Sequence, residues 1–196
     1  MNALERVIQD DYVITMKDII YEGHKTLRLV AKEVKKPITS ELLKFGEIMM
    51  TFLKNSQDQK MAEKLKLRGG VGLAAPQLNI SKRVLAILIS DEEKNIHFEE
   101  VMYNPKIIVH SVQEICLKDG EGCLSVKREI LGFVPRYKRV TVKYINCNNE
   151  EQIIRLKDHK AIVLQHELDH LNGVLFFDHI NKKDPWSIRK NLEILE

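Results

Sequence analysis

No stretch of the 196 residues is apolar for the roughly eighteen positions that a membrane-spanning helix needs, and residues 1–11 carry charges rather than an apolar run. The expectation is a soluble, cytoplasmic chain with no membrane partner and no export signal. Cysteine is scarce: Cys116, Cys123 and Cys147 are three in number, an odd count that excludes a secreted disulfide framework and favours free thiols. A strong charge of one sign is also missing. Thirty-one Lys and Arg stand against 28 Asp and Glu, a formal net charge of +3, which is less than nucleic-acid binders usually show. One local cluster of cations, Lys127, Arg128, Arg136, Lys138 and Arg139, is interleaved with Phe133 and Tyr137. It reads as a solvated hairpin, and no specific nucleic acid is expected as a partner.

What is present is an apolar fraction of 44%, enough at this length for one well-buried core and a single catalytic domain over residues 1–196. After Thr39, a capping residue type, Leu42, Phe45, Met49 and Phe52 recur at helical spacing and predict a helix of about four turns near the N-terminus. The polar segment 55–68 suits a short exposed helix before a glycine turn. Runs rich in β-branched residues at 84–89, 101–109, 140–145 and 152–156 predict strands. A last helix is expected from Asp158, as N-cap, to Gly173, with Ala161, Leu164, Leu168 and Leu171 on its buried face. Residues 174–177 read as a short strand, and 185–196 as a helix or a loose tail. Helix, strands, helix in that order give an α+β fold, with mixed and antiparallel strands around the last helix.

That last helix carries the chemistry. In Gln165-His166-Glu167-Leu168-Asp169-His170 the two histidines are four apart, so both imidazoles meet on one helix face and can bind one divalent ion, while Glu167 handles the proton of a water molecule. Ile162 extends the same stripe, and Val163 beside it is a wall for an apolar substrate group. A catalytic site of this type needs a third protein ligand. A histidine six residues after His170 would fit the long zincin pattern, but Phe176 stands there. Glu193 is a second candidate, close to a chain end where segments fray. Cys123, between Gly122 and Leu124-Ser125, is preferred, because a thiolate is a strong ligand for zinc or ferrous iron. Cys116 reads instead as a buried apolar thiol and Cys147 as an incidental one in a turn. In residues 70–77 the small Gly72, Ala74 and Ala75 let main chain approach a substrate, and Gln77 offers an amide donor.

Residues 70–77, 121–125 and 165–173, in that order, resemble the three signature segments of the peptide deformylases. The likeness extends from about residue 14 to 180, and the polar insertion before Gly70 is similar to the longer, type II branch of Gram-positive-type bacteria. The resemblance implies Cys123, His166 and His170 as ligands of one divalent ion, Fe2+ in the cell with Zn2+, Ni2+ or Co2+ as alternatives. It further implies Glu167 as proton carrier, Gln77 and the Leu124 N–H as carbonyl polarisers, and Gly72 with its neighbours Val71 and Leu73 against the substrate main chain. The implied reaction is removal of the formyl group from nascent chains beginning with N-formylmethionine, with a transient ribosome contact. Two rivals remain at this level: a zincin-type endopeptidase using Glu193, and a structural metal site in a module that binds chain N-termini.

Overall fold

The computed structural model describes residues 2–91 and 95–195. Helix α1 (Ala3–Val7) is closed by a capping box between Asn2 and Glu5. Helix α2 (Ser40–Gln57) starts at Thr39, whose hydroxyl accepts from the Leu42 N–H, and buries Leu42, Phe45, Met49, Phe52 and Leu53. It runs for 18 residues, about a turn longer than its periodicity predicted. Helix α3 (Gln59–Leu65) follows directly and buries none of its residues, as the polar segment implied.

Strands β1 (Gly72–Ala74), β2 (Val84–Ser90), β3 (Ile96–His110), β6 (Arg139–Ile145) and β7 (Glu151–Lys157) form one antiparallel sheet in the order β1-β2-β3-β6-β7. A second sheet joins β5 (Arg136–Tyr137), β4 (Glu114–Leu117) and β8 (Leu192–Leu195), with β4 and β8 parallel. Helix α4 (Asp158–Leu171) follows β7. The fold is thus α+β with one antiparallel sheet, one mixed sheet and several helices.

Strand β2 is buried on both sides, and its alternation divides the core. Val84, Ala86 and Leu88 pack with Phe45, Met49 and Leu53 of α2, whereas Leu85, Ile87 and Ile89 pack with Leu164, Leu168 and Leu171 of α4. The sheet therefore lies between α2 on one face and α4 on the other. Burial of an aliphatic side chain stabilises by about 1.5–3 kcal/mol, so this central strand ties both helices to one frame.

Several expectations need correction. Residues 185–196 are not a helix or a loose tail: Leu192–Leu195 pairs in register with β4, Glu193 opposite Ile115, because β4 offers a free edge. Residues 174–177 are not a strand, since Phe176–His179 is a 3-10 turn with Asp178 accepting from the Leu175 N–H. Asp158 is the first residue of α4 rather than its cap, a place taken by Lys157. Strands β1, β4 and β5 were not foreseen, being too short for a period-2 pattern to register.

Candidate metal centre

Helix α4 ends in a Schellman turn, the Val174 N–H reaching the Asp169 carbonyl and the Gly173 N–H that of His170. Gly173 has φ +72°, and a Cβ there would lie 2.7 Å from the Arg28 carbonyl oxygen, so only glycine fits. The helix is thereby fixed at its end, one face on the sheet and the other, with His166 and His170, toward the loop after β4. That loop brings Cys123 across. Its main chain is held by Arg68, whose guanidinium donates to the carbonyls of Cys123 and Leu124 at 3.3 Å.

One atom each from Cys123, His166 and His170 lies within 4.8 Å of the other two, with Cys123 Sγ 3.3 Å from His170 Nε2. Ligand bonds of about 2.0–2.3 Å place tetrahedral donors roughly 3.5 Å apart, so this set fits one divalent cation. Burial pushes the Cys123 thiol up, but the His170 and His166 rings beside it more than compensate and hold it at about 5. The Ser125 N–H also points at the sulfur, at 3.4 Å. A thiolate at neutral pH is what a metal ligand requires.

His166 is oriented from behind. Its Nδ1 lies 2.8 Å from Glu121 Oε2, leaving Nε2 for the cation. Arg136 grips the same carboxylate through Nε and Nη2, at 2.8 and 2.9 Å, and its Nη1 reaches Asp169, which also holds His179 Nε2 at 2.7 Å. Burial would raise the Glu121 carboxyl; the Arg136 charge and hydrogen bonds and the His166 ring bring it down to about 2. Arg136 is 2% exposed and so no part of a solvated hairpin, which corrects the reading of the cation cluster. Glu121, Arg136, Asp169 and His179 are the residues that sequence reasoning missed. The one signal was position: Glu121 and Asp169 sit inside the signature segments, while nothing in the chain announces that Arg136 turns inward.

Glu167 is buried, and one of its oxygens, Oε2, has no hydrogen-bond partner. Burial raises its carboxyl to about 7, the nearby histidines offsetting part of the effect. Gly72 of β1 passes so close that a Cβ would lie 2.7 Å from Glu167 Cγ. Gln77 is pinned by its Oε1, which accepts from the Ala74 N–H at 2.8 Å, while Nε2 faces Ser125 Oγ at 3.2 Å and Cys123 Sγ at 3.7 Å. The Leu124 N–H engages no partner among the described residues. A cavity of about 690 Å³ opens on this centre, and Val71, Gly72, Leu124, Ile162, Val163 and His166 line it. Leu73 does not: it is fully buried in the core beneath α2. Glu193 is also elsewhere, its carboxylate bound to Lys138 and Gln113.

The polypeptide deformylase family profile matches residues 16–186. The chain belongs to the polypeptide deformylase family. A peptide deformylase of Streptococcus gordonii is 54% identical over the whole of both chains, and one of Enterococcus faecalis is 54% identical over 94% of this chain and all of its own. Among solved structures, the Thermotoga maritima peptide deformylase is similar with a TM-score of 0.67 at 35% identity, covering 83% of this chain and 96% of that one. A Met-Ala-Ser-bound class I type b peptide deformylase of Acinetobacter baumannii gives 0.67 at 32%, with coverage of 83% and 96%. The role of deformylases is metal-dependent removal of the N-formyl group from nascent peptides, and a Cys, His, His site of the kind that chemistry needs is present. No helix among the described residues is long and apolar enough to cross a membrane.

Proposed function

We propose that the chain works as one catalytic domain on nascent formylmethionyl polypeptides, releasing formate, with Cys123, His166 and His170 holding the cation and Glu167 moving the proton. The observation that carries this is the convergence of a thiolate and two imidazoles beside a buried carboxylate and a bare glycine backbone. A cation in this site supplies Lewis acidity to the formyl carbonyl and makes water nucleophilic near neutral pH. The Cys123, His166 and His170 donors suit iron, zinc, nickel and cobalt. Fe2+ is the proposed physiological ion, on the family likeness.

Glu167 accepts a proton from the attacking water and passes it to the leaving amine, and its burial, which raises the carboxyl, favours holding that proton between the two transfers. Gln77 Nε2 and the Leu124 N–H donate to the oxygen that gains charge as the formyl carbon becomes tetrahedral. Each such donor is typically worth about 10²- to 10³-fold in rate. The Gly72 and Val71 main chain aligns the peptide, and Ile162 and Val163 wall the recess for the methionine side chain. Formyl is the smallest acyl group, so the close approach of Gly72 to Glu167 favours it over acetyl by shape. Work in the cytoplasm, with transient contact to the ribosome, completes the reading.

The test is formate release from a formyl-Met peptide by anaerobically purified protein, beside its N-acetyl counterpart, with the metal content measured. Fast release from the formyl peptide and far slower release from the acetyl one are expected. Comparable rates, or none from a metal-loaded protein, overturn the reading.

A further inference from the structure

Away from the metal centre, a second concavity of about 700 Å³ lies over the outer end of the β3-β6-β7 face. Its polar lining is cationic or neutral: Arg139, Arg155, Lys157 and His110 contribute to it, and no acidic residue does. In the β6-β7 ladder Arg139 stands directly opposite Lys157, and Thr141 opposite Arg155. All three cations are exposed on one face, because residues two apart on a strand share a side.

Like charges directly opposite in an antiparallel pair are destabilising, so such a pairing is a cost unless an anion lies over it. At the other end of the same hairpin the cost is avoided: Lys143 meets Glu151 at 2.8 Å. Lys138, next to Arg139, is likewise neutralised by Glu193 and Asp158. By contrast, Arg155 and Lys157 have no ion pair or side-chain hydrogen bond among the described residues, and Arg139 reaches only the neutral Gln113, at 3.5 Å. The hairpin thus balances its charges at one end and stacks them unbalanced at the other.

We propose that this face docks the phosphodiester backbone of structured RNA, independently of base sequence. A polyanion with regularly repeated charges can face Arg139, Arg155 and Lys157 at separate phosphates. Arg155 and Lys157 repeat about 6.7 Å apart along their strand. His110, stacked on Tyr137 at 3.8 Å between ring centroids, stands at the rim. A lipid surface fits less well, since the exposed apolar residues that line the concavity are the short Val109 and Val112. The inference rests on the reading that the chain acts on nascent polypeptides only for its biological sense; the charge argument stands apart from it.

The experiment titrates the metal-loaded full chain into a fluorescently labelled RNA hairpin of generic sequence at about 50 and 200 mM salt, where phosphate contacts lose affinity. Three proteins are compared: wild type, the variant Arg139→Gln/Arg155→Gln/Lys157→Gln, and a charge-matched control, Lys60→Gln/Lys64→Gln/Lys183→Gln. Wild type and control should bind within twofold of each other, and the groove variant at least tenfold more weakly at low salt, its salt slope reduced by about one per cation removed. Formate release should be equal in all three, so failure here and failure of the deformylase reading are told apart. Lys157→Glu alone gives a second check: it pairs with Arg139, so Tm should hold or rise while RNA affinity falls. The proposal is overturned by absence of salt-dependent binding in the wild type, by equal losses in groove variant and control, by loss of affinity only with loss of Tm, or by binding to phosphatidylserine vesicles without binding to RNA.

Discussion

Glu121 Oε2 lies 2.8 Å from His166 Nδ1, so a carboxylate two residues before Cys123 leaves the Nε2 of a histidine on another element to face the space it shares with Cys123 and His170. The loop and the helix that bring these three donors together are therefore also joined behind them, with Arg136 bridging Glu121 to Asp169 at the far side. Removal of such an outer partner typically costs 10- to 100-fold in metal affinity. Glu121→Gln should lose metal to a chelator at a 10- to 100-fold lower concentration than wild type, as read by metal analysis after dialysis.

Cys123→Ala should abolish stoichiometric metal binding and with it formate release, whereas Glu193→Gln should keep both. The physical reason is placement: Cys123 shares a 4.8 Å sphere with both histidines, and Glu193 is engaged by Lys138 and Gln113 on β8. The opposite pattern, loss with Glu193 alone, would restore the endopeptidase reading.

Glu167→Gln keeps the shape and removes the proton acceptor. It should retain the metal and fold while turnover falls by about 10²- to 10⁴-fold, the usual range for a general acid–base group. Near-full turnover in a metal-loaded Glu167→Gln protein would take the proton role away from this residue.

Gly72→Ala should lower kcat rather than unfold the chain, because its Cβ would press on the Glu167 side chain and move the carboxylate. A misplacement near 1 Å at a reacting group costs about 100-fold in rate. Circular dichroism, metal content and kcat, measured together, separate this effect from a loss of structure.

The Glu121 carboxyl drops from 4.5 to about 2 on folding. A group depressed in this way contributes stability that is fully present above 4.5 and lost as pH falls from 4.5 through about 2. Metal-free protein should lose Tm over that window, and Arg136→Met, which removes the main cause of the depression, should lower stability at neutral pH and flatten the loss between 4.5 and 2.

The site was legible in the chain to the extent that it is local. His166, Glu167 and His170 owe their common position to helical periodicity, and the α2 face was readable from Phe45, Met49 and Phe52 for the same reason. Thr39 marked the start of α2 and Gly173 the end of α4, each through a backbone requirement that few residues satisfy. Family likeness then supplied the partnership of Cys123, which no local rule dictates.

The rest depended on contacts between segments distant in sequence. Arg136 reads as one surface cation among five until the fold closes it between Glu121 and Asp169, where charge pairing offsets the cost of burying it. Leu73 sits in a segment that reads as substrate-facing, yet strand alternation turns it into the core while Gly72 meets the glutamate. Residues 192–195 read as tail because β8 gains its hydrogen bonds only from an edge supplied by β4, more than 70 positions away. Amino-acid order determined the helices and the chemistry within one turn of them; the tertiary structure alone decided which buried charges face one another, since that is a matter of pairing across space and not of spacing along the chain.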